Sequence, residues 1–146
     1  MFHAHGRDLR KGRVSVPGQI YAVTTVTRGR YPFFTDLRYA RRLIWVLQQA
    51  QALEQATTLC YVIMPDHLHW LLRLGDKHPL QRVVRNVKAV SSRKIGVPVW
   101  QKGFYDQAIR DDQDVVSIAR YIIGNPLRAN LVERIGDYPH WDATWL

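Results

Sequence analysis

Two hydrophobic periods alternate along this chain, and their order predicts its architecture. Between about Gln19 and Thr27, Ile20, Ala22, Val23 and Val26 stand among Tyr and Thr residues, a β-branched mixture that predicts a strand. Leu37, Ala40, Ile44 and Leu47 then recur at helical spacing, and Thr35 or Asp36 can cap a helix that runs to about Gln55. Thr57 to Met64 and His67 to Leu74 read as antiparallel strands joined by a tight turn at Pro65-Asp66. Gly75 to Pro79 punctuates the chain, and Leu80, Val83, Val84, Val87 and Val90 restore a helical pattern to about Ile95. Val99 to Arg110, with Trp100, Phe104 and Tyr105, predicts a fourth strand. Asp111 or Asp112 then opens a helix with Val115, Val116, Ile118, Ala119, Ile122 and Ile123 as its apolar face. Asn125 before Pro126 predicts a break and a new N-cap, with a short helix from Pro126 to Glu133. Tyr138 to Leu146 is aromatic without a clear period.

The order β-α-β-β-α-β predicts an α+β, ferredoxin-like sandwich, an antiparallel sheet with helices on one face, followed by a C-terminal helix that carries Tyr121. The strand His67 to Leu74 then lies centrally. Length predicts one domain over residues 1–146, with a basic arm over 1–18 and a tail over 134–146. A hydrophobic share of 47% excludes a disordered chain. No apolar run approaches the roughly 18 residues of a membrane span. The N-terminus does not read as a secretory signal, and the lone Cys60 forms no internal disulfide, so a cytoplasmic location is expected.

Charge narrows the partners. Twenty-one Lys and Arg against twelve Asp and Glu give a formal charge of +9, which favours polyanions. No acidic residue interrupts Leu80 to Val99, so pairing along the helix does not account for Arg82, Arg85, Lys88, Arg93 and Lys94. These five, with Arg7, Arg10, Lys11 and Arg13 of the arm, are the candidate phosphate contacts.

Candidate chemistry centres on His67 and His69. Alternation along a strand sends both imidazoles to one face and Leu68 and Trp70 to the other, a chelating geometry for a metal ion. The bland alternative is a half-buried strand in which each histidine finds its own hydrogen bond. On a helical wheel Tyr121 falls about 160° from Ala119, the centre of the apolar face, so it faces something other than its own helix's core. Asn125 follows one helical turn later and is open to two roles, beside Tyr121 or as the cap before Pro126.

Met64-Pro65-Asp66-His67-Leu68-His69-Trp70-Leu71-Leu72 and, later, Ala119-Arg120-Tyr121-Ile122-Ile123-Gly124-Asn125-Pro126-Leu127-Arg128-Ala129 resemble the REP-associated tyrosine transposases. These are single-tyrosine members of the His-hydrophobic-His nucleases. The resemblance extends to Tyr21-Ala22-Val23-Thr24, Tyr31-Pro32-Phe33-Phe34-Thr35-Asp36 and Trp100-Gln101-Lys102-Gly103-Phe104. It implies that His67, His69 and Asn125 bind a divalent metal, Mg²⁺ or Mn²⁺, and that Tyr121 is the nucleophile. By donor type alone Mn²⁺ tolerates two nitrogens better than Mg²⁺, and Zn²⁺ fits as well. Tyr105 stands where relatives often carry His. The implied substrate is single-stranded DNA in short palindromic hairpins, cleaved and rejoined through a 5′-phosphotyrosine. Two alternatives compete with this reading. One is a catalytically silent hairpin-binding module; the other is a metal hydrolase that adds Asp66 or Asp106 to the histidines. Neither monomer nor homodimer is favoured.

Overall fold

The computed structural model describes residues 15–143. Its strands are β1 (Ile20–Val26), β2 (Ala56–Met64), β3 (His67–Leu74), β4 (Tyr105–Ile109) and β5 (Trp141–Ala143). Its helices are α1 (Leu37–Ala52), α2 (Leu80–Ile95), α3 (Asp112–Ile123) and the short α4 (Asn125–Arg128). The strands form one antiparallel sheet in the order β4-β1-β3-β2-β5. Its first four members give the ferredoxin-like arrangement that the sequence predicts, with the histidine strand β3 between β1 and β2.

Strand parity divides β3 between two cores. Leu68, Trp70, Leu72 and Leu74 face α1 and α2, packing with Leu43, Leu47, Val83, Val84 and Val87. Leu71 turns to the opposite face, where Cys60, Val62 and Ile20 meet Val115, Ala119 and Ile122 of α3. The two helices of the βαββαβ unit therefore cover one side, and the tyrosine helix covers the other. Burying both faces explains why β3 reads as a nearly continuous apolar run after His69.

Local signals set the boundaries. Asp36 caps α1 by accepting from the Arg38 backbone N–H. Gly96, at φ +100°, ends α2 in the left-handed conformation that favours glycine. The buried stripe of α1 is Ala40, Leu43, Val46, Leu47 and Ala50, whereas the expected stripe member Leu37 is 44% exposed because it occupies the first helical position, outside the sheet's cover.

Three boundaries differ from expectation. The fourth strand is confined to Tyr105–Ile109, because the Lys88 ammonium draws in the Gln101 and Gly103 carbonyls at 2.8 and 2.7 Å and Trp100 makes only an isolated bridge to Thr27. The last helix ends at Arg128 rather than Glu133. The aromatic tail contributes β5 at the sheet edge, anchored by the Tyr138 hydroxyl donating to the Ile63 carbonyl at 2.5 Å. Among the described residues no helix is long and apolar enough to cross a membrane.

Candidate nuclease site

The turn between β2 and β3 fixes the histidines. Thr27 donates its backbone N–H to the Asp66 carbonyl at 2.9 Å, and Phe34 donates to the Pro65 carbonyl at 3.0 Å, so the turn is tied to the end of β1 and to the segment before α1. His67 and His69 leave this turn on the face of α3. Their Nε2 atoms converge to 3.1 Å, with the rings nearly perpendicular.

Each outer nitrogen has an orienting partner. His67 Nδ1 lies 2.7 Å from Asp66 Oδ1, and His69 Nδ1 lies 2.9 Å from Thr24 Oγ1, its direct cross-strand neighbour. With both rings neutral, the tautomers follow from the partners: His67 Nδ1–H donates to the carboxylate, and its Nε2 accepts from His69 Nε2–H. Thr24 then donates its hydroxyl to His69 Nδ1. A hydroxyl can also accept, and if Thr24 takes the Nδ1 proton of His69 instead, both Nε2 lone pairs become available together.

Burial keeps the pair neutral. It pushes His69 down to about 3, helped by the neighbouring His67 and by the charge of Arg128. Burial also lowers His67, against the opposing pull of the Asp66 carboxylate. Neutral imidazole is the metal-binding form. Two nitrogens each about 2.1 Å from one ion, at an angle of about 90–110°, stand about 3.0–3.4 Å apart. The observed spacing thus fits a shared divalent ion without rearrangement of the strand.

Neither competing carboxylate completes that donor set. Asp106 is buried in register with Val23, whose side chain points into the α1–α2 core, on the other side of the sheet. Asp66 is engaged at the far nitrogen of His67. No cluster of three or more His, Cys, Asp or Glu with metal-binding geometry occurs among the described residues. Asn125 is the remaining member of the expected donor set. It does not cap α4 as its position before Pro126 predicts: Gly124 holds the N-cap without a side-chain bond, and Asn125 lies inside the helix, its amide donating to the Ile122 carbonyl at 3.1 Å. The carbonyl end of its side chain is the metal-competent atom.

Tyr121 is half-buried and lines a cavity of about 400 Å³ with Gln107, Ile109, Arg110, Asp114 and Ser117. Its ring carries the Arg128 guanidinium, 3.8 Å from the centroid, and its carbonyl accepts from the same side chain. Tyr105 is 38% exposed and stands in the row Tyr105-Thr24-His69, two strands from the histidine. Thr24, Asp66 as an orienter, and Arg128 were not singled out by sequence reasoning. No local pattern announces the Tyr121–Arg128 contact, because the helix is interrupted at Gly124 between them.

The basic residues divide. Arg82, Arg85, Arg93 and Lys94 are exposed on α2, with Lys94 Nζ over the Trp45 ring at 4.5 Å. Lys88 departs from its expected role: its ammonium is turned inward to the two loop carbonyls, and burial pushes it down to about 8. It closes one wall of a groove of about 630 Å³ rimmed by Arg85 and Lys102 and floored by Trp100 and Phe104. Arg7, Arg10, Lys11 and Arg13 lie outside the described residues.

Residues 15–125 match the family model for IS200-like transposases. The chain belongs to that family. It is 32% identical over 82 residues to the REP-associated tyrosine transposase of Escherichia coli K12, a match covering 54% of this chain and 49% of that protein. A Haemophilus influenzae Rd protein provisionally named for the same group is 26% identical over 99 residues, covering 57% of this chain and 56% of its own. The chain thus spans about half the length of these curated relatives. The fold is also that of a REP-associated tyrosine transposase solved with a REP hairpin, at a TM-score of 0.78 and 22% identity, covering 88% of this chain and 79% of that one.

Proposed function

We propose that this IS200-like transposase cleaves and rejoins one strand of hairpin-forming DNA by transesterification, with Tyr121 as nucleophile. The observation that carries the reading is the convergence of the His67 and His69 Nε2 atoms on the face crossed by the tyrosine helix. The similarity to a transposase bound to a REP hairpin supports the substrate class.

The Tyr121 hydroxyl attacks the phosphorus of a phosphodiester. The Oη–P bond forms and the P–O3′ bond breaks. The phenolic proton passes to solvent, and the departing 3′ oxygen takes a proton from solvent. The product is a 5′-phosphotyrosine and a free 3′-OH, and attack by a 3′-OH reverses the exchange without loss of the ester bond. His67, His69 and the side-chain carbonyl of Asn125 would hold a divalent Mg²⁺ or Mn²⁺, which supplies Lewis-acid polarisation of the scissile phosphate when bound. Asp66 and Thr24 keep the two imidazoles aimed, and burial keeps them unprotonated at neutral pH.

The DNA path follows from the two-sided sheet. The exposed α2 cations and the Trp100–Phe104 groove lie on the α1–α2 side, and the Tyr121 cavity lies on the other. The β4 edge separates them, so a strand that uses both crosses that edge. Bases on the groove floor would stack on aromatic side chains, and phosphates would meet Arg85 and Lys102.

The test is a denaturing gel of labelled single-stranded hairpins, taken from repeats flanking the gene, incubated with protein and Mn²⁺ or Mg²⁺. A protein-linked band that disappears with Tyr121→Phe and with EDTA is expected. Tight binding without a linked band in the wild type would point to the silent binding module. Cleavage without it would point to a hydrolase.

A further inference from the structure

Arg128 is an exposed cation folded back onto a neighbouring residue. Its guanidinium covers the face of Tyr121 at 3.8 Å from the ring centroid and donates to the Tyr121 backbone carbonyl, so one side chain grips both ends of one residue.

The backbone makes room for this. Gly124 occupies an ordinary helical conformation, φ −76° and ψ −3°, that alanine adopts without strain. A Cβ there, however, would stand 2.9 Å from Arg128 Nη1. The nearest other atoms, the Arg120 and Tyr121 carbonyl oxygens, are at 3.3 and 3.7 Å. A methyl group at position 124 mainly displaces the flexible guanidinium and asks only a few tenths of an ångström of the Arg120 carbonyl. The missing side chain at 124 and the fold-back of Arg128 are one device.

We propose that Arg128, seated by Gly124, is a positioning residue that fixes the Tyr121 ring for attack. This rests on Tyr121 being the nucleophile. A half-buried phenol beside a cavity keeps a choice of χ1 and χ2 rotamers, and a planar guanidinium stacked on one face removes much of that freedom. Misplacement of a reacting atom by about 1 Å can cost 10²-fold in rate. Lysine supplies the charge but not the plane.

The experiment is single-turnover formation of the protein–DNA adduct on a hairpin, with protein saturating so that rate is separated from affinity, and with hairpin Kd measured in parallel. Arg128→Ala is expected to slow adduct formation about 30- to 100-fold while changing Kd less than about threefold. Arg128→Lys should recover only part of the rate, and added guanidinium ion should partly rescue Arg128→Ala but not Gly124→Ala, in which the displaced side chain is still present. Gly124→Ala should reproduce most of the loss, and the double variant should be no slower than Arg128→Ala alone. Wild-type rates in Arg128→Ala, losses that appear only in Kd, or fully additive effects of the two substitutions would each overturn the role of Arg128 and leave the nucleophile standing. Absence of adduct from the wild type would overturn both.

Discussion

Replacing Asp66 with Asn probes the histidine pair without touching either ring. Asp66 Oδ1 accepts the His67 Nδ1 proton at 2.7 Å, and its Oδ2 meets Arg30 at 3.3 Å. The amide retains an acceptor oxygen but loses the charge. A hydrogen bond to a charged group contributes about 1.5–3 kcal/mol. The Asp66 side chain is 27% exposed, so solvent screening reduces this to about 1–1.5 kcal/mol. That corresponds to about tenfold in the affinity of the pair for a divalent ion, the lower end of the range typical of carboxylates that orient a metal-binding histidine. Thr24→Val removes a neutral bond at 2.9 Å to the other ring, for about 0.5–1.5 kcal/mol and a loss of about fivefold. Calorimetric titration of metal-free protein with Mn²⁺ measures both, with circular dichroism to establish that the fold persists. His67→Ala should remove binding altogether. Unchanged Mn²⁺ affinity in Asp66→Asn and Thr24→Val, or undiminished binding in His67→Ala, would refute the assignment of this pair as a metal site.

Three further outcomes follow from particular contacts. Gly75→Ala should cost at least about 2 kcal/mol in urea unfolding, because its Cβ would lie 2.4 Å from the Glu54 carbonyl oxygen and 3.0 Å from that of Gln55, backbone atoms that cannot swing aside. The buried Cys60 thiol is pushed up from 9.0 to about 12 by burial; unfolding above pH 9 therefore releases its proton, and the stability of the wild type relative to Cys60→Ala should fall between pH 9 and 12 and stay constant below it. Arg85→Ala should flatten the dependence of log hairpin affinity on log salt by about one unit, whereas Lys88→Ala should leave that slope unchanged and lower folding stability by about 2 kcal/mol through its two carbonyl contacts. Equal slope changes in the two variants would mean that the ammonium of Lys88 reaches DNA after all.

The elements legible in the sequence were those whose partners repeat locally. The period of two in β3 and of about 3.6 in α2 depends on burial of one continuous face, and those strands and helices appear within a residue or two of their expected ends. The faces of the two histidines and of Tyr121 followed from the same geometry. What escaped depended on contacts distant in sequence. The edge strand β5 is three residues long and exists through pairing with Cys60, Tyr61 and Val62, which no local pattern announces. Lys88 sits on the polar arc of its helix, yet that arc borders the 101–103 loop, so charge alone could not separate it from Arg85. Thr24 is one threonine among three in and beside β1, and only the β1–β3 register brings it opposite His69.

That register also explains why the site tolerates so little rearrangement. Every odd residue of β3 from His67 to Leu71 serves the α3 face, and every even one from Leu68 to Leu74 serves the α1–α2 core. A slip of one residue would drive both imidazoles into an apolar layer and bring Trp70 out onto the α3 face. Trp70 opposes this slip strongly: it is fully buried, and its indole N–H is spent on Thr58 Oγ1 at 2.9 Å. The hydrophobic half of the motif Leu68-His69-Trp70 is thus what aims its chemical half. Since the same sheet separates the cationic helix layer from Tyr121, packing on one side sets the geometry on the other, and under the proposed function the β4 edge would be the route by which a DNA strand bound to the first presents a phosphate to the second.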